Sequence, residues 1–82
     1  MGTEMPIHFF DIDDGELHTH DEEGHELLDL KAARDEAMSV LPDIAQDRPP
    51  KGDRRDLAAV VRNESGRKVA VATLALKADY IA

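Results

Sequence analysis

Phe9 to Leu41, FFDIDDGELHTHDEEGHELLDLKAARDEAMSVL, is the stretch that decides the fold. It begins with an apolar run and reaches Asp13-Asp14-Gly15-Glu16, where glycine supplies the positive φ of a tight hairpin. Leu17 to Asp21 then returns as a polar strand suited to a sheet edge. Glu22-Glu23-Gly24-His25 makes a second turn and delivers Leu27 and Leu28 toward the core. Asp29 follows as a helix N-cap, because its carboxylate accepts from the free amides of the first turn at the positive end of the helix dipole. At 100° per residue, Leu30, Ala33, Ala37, Val40, Leu41 and Ile44 gather into one stripe, with Lys31, Asp35, Glu36, Ser39 and Asp43 opposite. The two alanines in mid-stripe let the helix axis approach a sheet closely.

On the N-terminal side, Ile7 to Ile12 carries apolar side chains on both alternating faces, as a central or doubly covered strand does. Residues 1–4 read as a short disordered lead to a single domain over 5–82. On the C-terminal side, Pro42 lacks the amide that would bond the carbonyl of Met38, yet Ile44 stays on the stripe, so a kink is expected in place of a stop. Asp47 to Asp53, with its Pro49-Pro50 pair and Gly52, reads as a loop. A second hairpin joins Leu57–Arg62 to Val69–Lys77 around Asn63-Glu64-Ser65-Gly66.

The order is ββαββ, an α+β two-layer sandwich of one helix on a four-stranded, mainly antiparallel sheet. Counting the strands alone, the order 2-1-4-3 would place both two-sided strands centrally, whereas 2-1-3-4 keeps all neighbours antiparallel; the burial pattern favours the former. One helix covers one face only. The first and last strands are apolar on both, which leaves Ile7, Phe9, Val69, Val71 and Thr73, with Tyr80 of the tail, as candidate interface residues. Self-association through the open face or the edge of the last strand follows, most simply as a homodimer.

At 82 residues there is room for one core and none for a cleft between domains, so the expectation is a non-enzymatic chain without a cofactor. The absence of cysteine excludes a disulfide framework and thiolate chemistry and fits a reducing, cytoplasmic setting. No run is long and apolar enough for a membrane span. Of the eighteen acids, ten lie in the first thirty residues, which hold no Lys or Arg, and the formal net charge is −8. Such a hairpin repels phosphate backbones, which argues against nucleic acid and for a basic protein partner, if any, in the manner of an antitoxin.

His18-Thr19-His20-Asp21-Glu22-Glu23-Gly24-His25 is the stretch with most latent chemistry. His18 and His20 project from one face of a strand, and His25 or a carboxylate would complete a divalent-metal site or a pH-responsive patch, the alternative function. Solvation at a strand edge opposes it, since bound metals need fixed supporting partners. Asp11 to Glu16 departs from a calcium loop at Gly15 and Glu16. Asp11 and Asp13 share a strand face but lack the confinement that splits paired carboxyl pKa values. The basic cluster Arg48, Lys51, Arg54 and Arg55 has no interleaved aromatics and reads as a solvated loop.

Met5-Pro6, His8-Phe9-Phe10-Asp11-Ile12, Asp21-Glu22-Glu23-Gly24 with Glu26-Leu27, and Asp29-Leu30 with Ala33-Arg34 and Glu36-Ala37 form a recognisable string. It resembles a small bacterial family known only as a domain of unknown function, from Met5 to about Leu76. The resemblance implies a compact ββαββ-type domain of bacterial origin and brings no catalytic residues. Pro42 and the His18/His20 pair depart from the family pattern, which separates a metal site from whatever the family shares.

Overall fold

The computed structural model describes residues 5–47 and 54–81; the expected lead over residues 1–4 and most of the Pro-Pro loop, over 48–53, lie outside them. The elements are β1 (Ile7–Asp13), β2 (His18–Thr19), β3 (His25–Glu26), α1 (Leu30–Asp47), β4 (Arg54–Arg62) and β5 (Lys68–Lys77). One helix lies on a mainly antiparallel sheet, an α+β fold.

The hairpin glycines act where the sequence placed them. Gly15 takes φ 91° in the β1–β2 turn and Gly66 takes φ 85° in the β4–β5 turn, a region that L side chains avoid. Around Gly66 the Asn63 side chain accepts from the amides of Ser65 and Arg67 (3.1 and 3.0 Å), fixing the turn.

The sheet order is β2-β1-β4-β5, with β3 pairing the other half of the outer edge of β1. Of the two orders the sequence leaves open this is the all-antiparallel one, 2-1-3-4, and it corrects the preference drawn from the burial pattern, since β4 separates the two-sided strands β1 and β5. The reason is directional. Both β1–β4 and β4–β5 are antiparallel, so β5 runs parallel to β1 and beside it would form a parallel pair. The observed order keeps every neighbour antiparallel and leaves Leu57, Ala59 and Val61 of β4 at most 1% exposed. A second correction concerns the return strand, which is only two residues long in β2. The supposed turn at Glu22–His25 leads into a further pairing, Ile7 with Glu26 and His8 with His25.

Asp29 caps α1 as expected, its Oδ1 accepting from the Ala32 amide at 2.8 Å. The stripe follows: Ala33, Ala37 and Leu41 are buried, and Val40, Ile44 and Ala45 pack beside them. Against these lie Phe10 of β1, Leu57, Ala59 and Val61 of β4, and Ala72 of β5, with the helix resting over β4 and β5. The stripe fails at its start, because Leu30 stays half exposed, and Leu28 is exposed while Leu27 packs on the core. The helix runs on through Pro42, which sits on its exposed side, to Asp47.

Candidate functional site

Two parts of the surface carry the candidate residues: an arm spanning β2 and β3, and the far strand β5. The arm is fastened by a carboxylate standing in for a strand. Between β2 and β3 the ladder is interrupted, and there the Phe10 amide donates to Asp21 Oδ2 at 3.0 Å. Oδ1 of the same carboxylate accepts from the amides of Glu23 and Gly24, each at 3.1 Å. The Asp21 amide in turn donates to Asp11 Oδ1 at 3.1 Å.

Asp11, buried on the face of the sheet opposite the helix, is gripped by Arg62 of β4 through Nε–Oδ2 (2.7 Å) and Nη2–Oδ1 (3.1 Å). Nη2 also donates to the Asp21 carbonyl at 2.9 Å, and the guanidinium carbon stands 5.1 Å from the Phe9 ring centroid. The Arg62 guanidinium therefore holds the Asp11 carboxyl below its ordinary value of 3.8 in spite of burial. Burial pushes Asp21 upward, yet the donating amides of Phe10, Gly24 and Glu23 outweigh it and the net shift is downward. These carboxylates are held ionised by internal donors, which suits a latch and not a proton-transferring pair.

The three histidines do not converge. His20 places Nδ1 3.2 Å from Asp11 Oδ1 and Nε2 3.3 Å from Arg62 Nη2, so Nδ1–H donates and Nε2 accepts, an assignment made from the partners. His25 lies edge-on to Phe10 with centroids 5.3 Å apart, its Nε2 3.8 Å from Asp21 Oδ2. His18 is exposed in β2 beside Asp13. Among the described residues no group of three or more His, Asp or Glu side chains is disposed to hold a metal ion.

The candidate interface residues also divide. Ile7 and Phe9 are half-buried: a Cβ at Gly24 would lie 2.5 Å from Ile7 Cγ2 and 2.9 Å from Phe9 Cε1, so the arm rests directly on both. Val69 packs against the core. Val71 is 60% exposed, Thr73 is exposed beside it, and Tyr80 and Ile81 are covered by none of the described residues. β5 ends the sheet, pairing with β4 along one side. A shallow depression along this face is lined by Asp13, Asp56, Ala58, Thr73 and Ala75.

Sequence reasoning missed Asp21 and Arg62. The available signals were the Asp21-x-x-Gly24 spacing, which marks a carboxylate accepting from its own turn, and an arginine at the end of a strand, which the sheet pairs with Phe9 and so sets diagonal to Asp11. No described helix is long and apolar enough to cross a membrane. No curated protein and no solved structure matches the chain. The model of a domain of unknown function, DUF6894, matches residues 7–75, the segment that runs from the first residue of β1 to near the end of β5, and the chain belongs to that family.

Proposed function

We propose that this domain is a non-enzymatic interaction module that self-associates along the outer edge of β5, in a cytoplasmic setting consistent with a chain that lacks cysteine. One observation carries the reading. β5 is ten residues long, stands at the end of the sheet, and bears Val71, Thr73 and Ala75 on its exposed face. A long edge with no second partner strand among the described residues, beside apolar side chains, is a template for another strand. The open sheet face serves less well, because the arm and Arg62 already occupy its Ile7–Phe9 end. Exposed Glu16, Glu22, Glu23 and Glu26 give the arm a surface suited to a basic partner once the module has assembled.

Sedimentation velocity from low to high micromolar concentration tests the reading: the weight-average mass should rise toward twice that of the 9.1 kDa chain. A monomer throughout would sink it. The divalent-metal alternative at His18, His20 and His25 draws no support from the placement of those side chains. Stoichiometric micromolar zinc binding, lost in His18→Ala/His20→Ala, would reinstate it.

A further inference from the structure

The outer edge of β5 is flanked by charges of both signs, Lys68 at one end and Lys77 with Asp79 at the other. Lys68 pairs with Arg62, and Val61 pairs with Ala70, so Val69 is an extra residue in the ladder. Val69 and Ala70 both pack toward the core, and Lys68 therefore shares the open face with Arg62. At the other end Lys77 and Asp79 lie on one side, Nζ 3.5 Å from Oδ2, and the exposed tail continues to Tyr80 and Ile81.

We infer that the occupant of this edge is a second copy of the chain, running antiparallel with Leu74 on the two-fold axis; the inference rests on the self-association reading above. A two-fold perpendicular to the sheet keeps both helices on one side and sets one residue of β5 opposite its own counterpart. Counting across the bulge, a centre at Thr73 opposes Lys68 with Lys77 of the second copy, twice over, and like charges directly opposite are destabilising. A centre at Ala72 opposes Lys68 with Ala75 and leaves the 79–81 tail beyond the partner strand. A centre at Leu74 opposes Lys68 with Asp79 and Arg67 with Tyr80, so an ion pair and a cation–π contact form at each end. That register gives the uncovered tail a place to lie. It also sets Thr73 against Ala75 of the second copy.

The chain has no cysteine, so single-cysteine variants report the register directly. Thr73 and Ala75 are both exposed, which leaves the core intact in Thr73→Cys and Ala75→Cys. Under mild oxidation the mixture of the two should form a disulfide dimer roughly tenfold faster than either alone, because only opposed residues come within bonding reach. Lys68→Asp and Asp79→Lys should each weaken the dimer roughly tenfold, and the double variant should restore it. Rapid self-linking of Thr73→Cys, or linking of Thr73→Cys with Val71→Cys, would overturn this register while leaving edge pairing in place. A dimer that links at none of these pairs would overturn the edge itself. A monomer at every concentration would remove the self-association reading on which the inference stands.

Discussion

Asp21 completes the sheet where the chain does not, since its carboxylate receives the Phe10 amide that a longer β2 would have taken. The arm then closes on Gly24, whose φ of 76° and contact with Ile7 and Phe9 admit no side chain. Gly24→Ala should cost roughly 1–3 kcal/mol in urea denaturation, through backbone strain and overpacking together. Asp11 and Asp21 are held below the usual carboxyl value of 3.8, so their stabilising contribution is complete above that value and is lost as pH falls through the lowered ones. Stability should accordingly decline on acidification below about pH 4, and Asp11→Asn should flatten that acid limb of the denaturation midpoint. His8 is 5% exposed and its Nδ1 has no hydrogen-bond partner among the described residues. His8→Phe should leave stability unchanged or raise it by about 1 kcal/mol, since an orphaned polar atom is replaced by carbon. Of the residues that carried the family resemblance, Asp11, Asp21, Gly24, Asp29, Ala33 and Ala37 each have a structural task here. Those structural tasks account for much of the recognisable string.

Among the elements, α1 was the most legible, because a cap, a stripe and a pair of central alanines all belong to one 3.6-residue period. Asp29→Ala should cost about 1 kcal/mol by removing the acceptor for the Ala32 amide. Ala37, fully buried against the sheet, tolerates no enlargement, and Ala37→Leu should lower the thermal midpoint by the equivalent of roughly 1–3 kcal/mol. The hairpin around Gly66 was equally plain. The strand order was not, for a physical reason: alternation reports how many faces of a strand meet apolar groups, and it carries no address for the neighbour along the hydrogen-bonding direction. β4 reads in sequence as a modest strand, yet its Leu57, Ala59 and Val61 form the most buried row in the sheet. The arm was missed because a two-residue strand has no period, and its pairing depends on one side-chain acceptor. The same gap affected the candidate site: Val71 and Thr73 emerged as exposed, whereas Ile7 and Phe9 lie under a segment whose path could not be read from periodicity.

For the whole molecule, a single described helix over part of one sheet face leaves a small core, to which association would add burial. If the β5 edge pairs two copies, folding and assembly are linked. Each tenfold rise in protein concentration should then add up to about 1.4 kcal/mol per dimer to the apparent stability, seen as a concentration-dependent melting temperature. A midpoint that ignores concentration would argue that each chain folds unaided. The stand-in carboxylate at β1 has one more effect at this scale. Two stubby strands and an aspartate already stop up that flank, so among the described strands β5 is the long margin from which pairing of two copies would extend the sheet. If β5 pairs as proposed, growth through that margin would be self-limiting, since a pair of molecules would consume it before a protofilament could propagate.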